Sequence, residues 1–232
     1  MGYDQGDTHA RLGRTDLKYG AQRLISPLDW ANTRRTFQGG VISQGHDVGT
    51  VDVFVTKPVN KRTYDLDHSD NSRWFSGIYS NFELDDGAGI DVYGLSYNET
   101  TTGKATAGDG SGGTFDIYTV GARAFMDEGG FDAEAEVAQQ FGQFAGDDVD
   151  AAMFTARSGY TFEDTTYTPR VGLDLDWASG DDDPTDGDKG TFNQLFPLGH
   201  RWLGFADIVG RQNVLALSGS LEAAATRLGM ES

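Results

Sequence analysis

The sequence predicts an all-β fold of antiparallel strands, and three observations predict it. Runs of about ten residues alternate between the two faces of a strand, and each closes on Gly, Asp, Asn or Pro. Glycine is abundant, at 32 of 232 residues, whereas proline numbers only 5, which suits many turns between uninterrupted strands. Aromatic residues make up 12% of the chain, too many for a disordered one.

The runs follow one another along the chain. Residues 50–58 set Val51, Val53 and Val55 against Asp52, Phe54 and Thr56. Residues 74–84 and 89–99 come next, with Asp85-Asp86-Gly87 as the turn between them. The run at 115–126 follows a Gly/Ser-rich stretch at 103–113. In 131–145, Ala133, Ala135, Val137, Gln139 and Phe141 share one face, and Asp132, Glu134, Glu136, Ala138 and Gln140 share the other. Residues 151–162 place Ala152, Phe154, Ala156, Tyr160 and Phe162 opposite Met153, Thr155, Arg157, Gly159 and Thr161. The alternation is clearest at 168–179, where Val171, Leu173, Leu175 and Trp177 oppose Arg170, Gly172, Asp174 and Asp176. Helical signal is sparse. Residues 220–228 (SLEAAATRL) read as a short helix or as a strand running into a turn.

Two geometries explain a sheet with one apolar and one charged face. In a soluble sandwich the apolar face packs on a second sheet. In a membrane barrel it meets lipid, and the charged face lines a lumen. Three features favour the barrel. The runs approach the roughly 9–11 residues that a tilted membrane strand needs. The apolar faces carry small residues (Ala133, Ala135, Ala152, Ala156) that would pack a soluble core poorly. Aromatics such as Tyr160, Phe162 and Trp177 gather near strand ends, as interfacial girdles do.

Composition excludes several functions. The net charge is −18, and residues 109–188 hold 19 acidic and 3 basic side chains. Such a surface offers nothing to nucleic acid, whose binding needs a basic face. Cysteine is absent, which removes disulfides, thiolate nucleophiles and Cys-based zinc sites. No run has the 18 or so apolar residues of a membrane helix. The opening MGYDQGDTHARLGRT lacks the apolar core of a secretory signal, so either the chain is cytoplasmic or its true start lies upstream.

The chemical motifs are weak. GDGSGG at 108–113 has dinucleotide spacing but lacks the strand before and helix after that phosphate binding requires, and reads as a hairpin loop. His9, His46, His68 and His200 are scattered, and no G-x-S-x-G elbow occurs. Glu134 with Glu136, and Asp174 with Asp176, lie about 6.6 Å apart along a strand face, a spacing that glycoside hydrolysis can use. Water-facing β surfaces show the same alternation, so these carboxylates are expected to line solvent or a lumen, with no catalytic residue and no enzymatic activity. Five aspartates fall within 181–188. Asp181, Asp183, Asp186 and Asp188 are candidate ligands for Ca2+, although the EF-hand pattern fails at Pro184 and Asn193.

Two blocks carry a family likeness. LKYGAQRLISPLDWANTRRTFQGG at 17–40, preceded by Leu12-Gly13-Arg14, resembles a signature of the alginate-export family of outer-membrane β-barrels. The matching positions are Gln22-Arg23-Leu24, Pro27-Leu28-Asp29-Trp30, Asn32, Arg35 and Phe37. The block at 167–213 (YTPRVGLDLDWASGDDDPTDGDKGTFNQLFPLGHRWLGFADIVGRQN) resembles the same family's long-loop signature, and the acidic stretch lies within it. The likeness implies a monomeric barrel of about 18 strands in the lipid of a Gram-negative outer membrane. It also implies passage of a polyanionic polysaccharide through an arginine-rich constriction.

Ten or eleven strands are expected in this chain, so residues 1–232 are read as one domain, a part of such a barrel truncated at both ends. The expected path is lined by Arg14, Arg23, Arg35, Arg123, Arg157 and Arg170, facing Asp132, Glu134, Glu136, Asp174 and Asp176. That mixed lining suits an anionic or sugar-like solute, including a polysaccharide such as alginate. The second reading is a secreted calcium- or carbohydrate-binding β protein.

Overall fold

The computed structural model describes residues 2–61, 66–84, 87–101, 113–165, 167–183 and 185–223. Its strands are β1 (Gly2–Gln5), β2 (Thr8–Thr15), β3 (Phe37–His46), β4 (Gly49–Asn60), β5 (His68–Ser69), β6 (Arg73–Glu83), β7 (Gly89–Glu99), β8 (Phe115–Glu128), β9 (Phe131–Phe144), β10 (Asp147–Thr161), β11 (Arg170–Ala178), β12 (Asp188–Lys189) and β13 (Val214–Glu222). One short helix, α1 (Gly199–Trp202), interrupts the last long connection. Eleven strands form one antiparallel ladder in the order β1-β2-β3-β4-β6-β7-β8-β9-β10-β11-β13. The two-residue β5 and β12 pair beside β4 and β10. Among the described residues β1 and β13 end the ladder and do not pair with each other. Among the described residues the ladder holds eleven strands, within the expected ten or eleven, besides the two-residue β5 and β12. Residues 220–222 continue β13 as strand, while 108–112 and 224–232 lie outside the described residues.

Strand phase follows the sequence alternation because a residue and its cross-strand partner share a face. One outward row runs Val92–Ala122–Val137–Phe154–Trp177–Leu215 across six neighbouring strands. On β9 the outward apolar positions are bounded by Phe141 at one end and Phe131 at the other. Tyr118 stacks on Phe141 at 5.6 Å, and Tyr160 partners Phe131 and meets Phe162 at 5.0 Å. Ten steps of about 3.3 Å separate the two aromatic borders, or about 25 Å of height at a tilt of about 40°. That is the thickness of the apolar belt of an outer-membrane barrel. Beyond the first border the outward partners turn polar, at Asp116, Gln143 and Asp148.

The hairpins at one end are tight. Gly129 and Gly130 join β8 to β9 with φ of 58° and 80°. Positive φ at both central residues matches the twist of the flanking strands, and glycine adopts it without strain.

The opposite end carries the long connections 16–36 and 179–213, whose described residues pack over the sheet face that carries Phe37, Phe54 and Phe75. Leu17, Leu24 and Ile25 from the first, and Phe192, Leu195 and Phe196 from the second, are buried with Phe37, Phe54, Phe75, Tyr97 and Phe115 of the sheet. Phe196 meets Phe37, Phe75 and Tyr97 edge-on, at 5.1, 4.8 and 5.0 Å. The connections also zip together: Ile25 and Phe196 form a parallel bridge, Ser26 N–H donates to Phe196 O, and Phe196 N–H donates to Leu24 O. The 17–40 block is therefore mostly an inserted connection between β2 and β3, and strand resumes at Phe37.

Candidate functional site

The inward face divides into an aromatic half beneath the inserted connections and a charged half toward the tight hairpins. Asn81, Asp91, Arg123, Glu136, Thr155 and Asp176 stand directly opposite one another on six successive strands. One step nearer the hairpins, Phe125, Glu134, Arg157 and Asp174 form a second row. Arg170 of β11, with Asp132 of β9, closes the hairpin side.

These charges pair in three groups: one around Arg23 and Arg123, one at Arg157 and one at Arg170. Arg123 Nη1 donates to Asp91 Oδ2 at 2.9 Å, and its Nε donates to Glu134 Oε2 at 2.8 Å. Arg23, from the first inserted connection, pairs with Glu134 and reaches Glu136 Oε2 at 3.2 Å. Arg157 Nε lies 3.3 Å from Asp174 Oδ1. Arg170 holds Asp132 at two points, 2.9 and 2.6 Å, and Glu222 lies 3.4 Å away. Tyrosines brace the carboxylates: Tyr79 OH donates to Asp91 at 2.8 Å and Tyr93 OH donates to Glu136 at 2.9 Å. The most buried of these charges, Arg23, Asp91 and Glu136, persist only when paired and hydrogen-bonded, and the planar guanidinium suits two-point pairing.

Glycines make room for the long side chains. A Cβ on Gly121 would strike the Tyr93 ring on its way to Glu136, and one on Gly159 would strike the Arg170 guanidinium. A cavity of about 550 Å³ opens on this side, lined by Arg123, Asp127, Asp132, Glu134, Arg157 and Arg170 among others.

Ten of the eleven expected path residues face inward or lie in an inserted connection. Arg14 is the correction. It shares the outward row with Gln38 and Lys57, and donates to Asp67 O at 3.0 Å. The inward arginine of β2 is Arg11, opposite buried Val41. Arg35 lies inside but away from the carboxylates. It donates to the carbonyls of Ser26, Phe196 and Pro197, clamping the junction of the two connections. Burial lowers its guanidinium to about 10.

Sequence reasoning missed Arg211, Asp91 and Trp202. Arg211 is wholly buried and grips Asp176, and its Nη1 also donates to Arg23 O at 3.1 Å. Trp202 lies under the Arg23 and Arg157 guanidinium groups, at 4.0 and 5.5 Å, and its indole N–H donates to Ala21 O. The alternation Ile90-Asp91-Val92-Tyr93 could have found Asp91. Nothing in a loop's pattern marks Arg211 or Trp202.

The described parts of the acidic stretch, 181–183 and 185–188, carry local hydrogen bonds, and Asp188 opens β12. Asp183 Oδ1 accepts from the backbone N–H and hydroxyl of Thr185, which holds its carboxyl below the usual range, and Asp186 Oδ1 accepts from Asp188 N–H. Among the described residues no group of three or more acidic or histidine side chains is arranged to hold a metal ion.

A family model described as alginate export matches residues 1–226. No curated protein and no solved structure matches the chain.

Proposed function

The chain belongs to the alginate-export family of outer-membrane β-barrels, and from that premise we propose that its sheet forms the wall of a channel for an anionic or sugar-like solute. The observation that carries this reading is the pair of inward charged rows running from Asp91 to Asp176 and from Glu134 to Asp174, backed by an outward apolar belt of membrane thickness. In a narrow, low-dielectric passage such fixed charges focus the field and select what enters.

The pairing narrows the solute. Arg23, Arg123, Arg157, Arg170 and Arg211 all meet carboxylates, so none offers a bare positive charge to a polyanion. A solute would instead exchange hydrogen bonds with the free edges of these pairs, as a chain of hydroxyls and carboxylates can. Polysaccharides such as alginate are one such class. Transport is passive in this reading. The protein acts as a monomer surrounded by outer-membrane lipid. The secreted-protein reading leaves the outward belt, with its paired aromatic borders, without a role.

Planar-bilayer recording tests the proposal. Weakly selective current is expected, because the lining charges are paired, with a reversal potential that moves toward cations in Arg157→Ala and Arg170→Ala. A strongly cation-selective pore indifferent to both substitutions would overturn it.

A further inference from the structure

Outside the charged rows, the two inserted connections build a second feature that the channel reading does not use. Trp30 of the first connection stacks face to face on His200 of α1, with ring centroids 3.8 Å apart and planes within 9°. Its indole N–H donates to Asp207 Oδ2 at 3.0 Å. His200 is fixed in turn, its Nδ1 3.1 Å from Phe205 O and its ring edge-on to Phe205 at 4.6 Å. One indole face is therefore covered and its single polar atom is satisfied, yet the residue remains 56% exposed. The exposed part is an apolar ring face held in a set orientation.

Polar groups adjoin it. Asp29, the preceding residue, accepts from Arg34 Nε at 2.8 Å, and Arg34 also pairs with Asp16 at 2.6 Å. Both Asp29 and Arg34 keep about half of their side chains exposed.

We propose that the Trp30 face is a binding platform for a pyranose ring of a saccharide. The C–H face of such a ring is apolar and flat enough to lie on an indole, while its rim of hydroxyls needs donors and acceptors of the kind Asp29 and Arg34 present. Fixing the ring before the solute arrives removes an ordering cost from binding. An exposed tryptophan can instead anchor at a lipid headgroup. Placement favours the saccharide: His200 lies in the same four-residue helix as Trp202, whose ring sits under the Arg23 and Arg157 guanidinium groups of the charged inward half. The platform thus adjoins the solute path. The inference rests on the channel reading and deepens it by assigning a contact site for the solute to Trp30.

The test is current block in planar bilayers by a neutral glucan hexasaccharide and by a hexameric uronic acid, with the full chain, Trp30→Ala and Trp30→Phe. Wild type is expected to show sugar-dependent interruptions with at least one of the probes. Trp30→Ala should weaken binding at least tenfold and Trp30→Phe less than threefold, with salt conductance unchanged in both. Equal block in wild type and Trp30→Ala, or a conducting wild-type pore that neither probe blocks, would overturn the platform and leave the channel standing. Absence of any conductance would overturn the channel reading and the platform with it. In micelles, a tryptophan emission shift that depends on Trp30 should follow any probe that blocks. The same shift produced by lipid vesicles alone, and not by sugar, would assign Trp30 to the membrane and overturn the proposal.

Discussion

Arg211 grips Asp176 at two points, Nε to Oδ1 at 2.9 Å and Nη2 to Oδ2 at 2.6 Å, with its guanidinium shut off from solvent. Asp176 belongs to the wall and Arg211 to the second inserted connection. The pair, with the Arg211 bond to Arg23 O, therefore fastens both connections to the sheet.

Removing one partner leaves the other charge buried and alone, at about 3–5 kcal/mol. Arg211→Ala should lower unfolding stability in detergent by that amount, read by urea titration of tryptophan fluorescence. The double variant Arg211→Met/Asp176→Leu should recover most of the loss, because two apolar side chains leave no orphan charge. A double variant as unstable as the single one would show that the pair is not what matters.

Phe196 tests the apolar side of the same attachment. Its ring fills the nest of Phe37, Phe75 and Tyr97, and Phe196→Ala should cost about 3–5 kcal/mol. Loosening the connection should also raise single-channel conductance. Unchanged stability and conductance would mean that the connection leaves the lumen in the membrane.

Gly159 gives the Arg170 guanidinium its space. Gly159→Ala should push that side chain off Asp132, cost about 1–3 kcal/mol, and shift ion selectivity in the same direction as Arg170→Ala. Selectivity identical to wild type, measured by reversal potential, would separate the glycine from the arginine.

The outward belt predicts a depth dependence. Val137→Arg lies midway between the aromatic borders and should cost about 2–4 kcal/mol in lipid, whereas Gln143→Arg beyond the border should cost about 0–1 kcal/mol. Equal costs at both positions, from unfolding titrations in liposomes, would argue against a membrane belt.

Strand phase was legible because period-two alternation records which side chain faces which solvent. Asp174 and Asp176 against Leu173 and Leu175 needed no structure to sort. Arg14 was misread because β2 carries charge on both faces: Arg11 points inward and Arg14 outward, so composition alone does not set the phase. The interior attachments were not legible at all. Arg211, Trp202 and Phe196 lie in a connection without period, and their roles depend on where a chain of more than thirty residues folds back, a long-range outcome with no local signature. The family likeness marked both connections as notable, but gave no sign that Ile25 and Phe196 would bridge.

The central claim is that one face of each strand lines water and the other meets lipid. The chain contains no cysteine, so single cysteines can be placed one at a time in the full protein in liposomes and challenged with a small charged thiol reagent. Positions 132, 134 and 174 should react through the lumen, while 133, 135, 173 and 175 should resist it and take up a lipid-soluble reagent instead. Reaction of both sets at similar rates, or protection of the charged positions alone, would contradict the account.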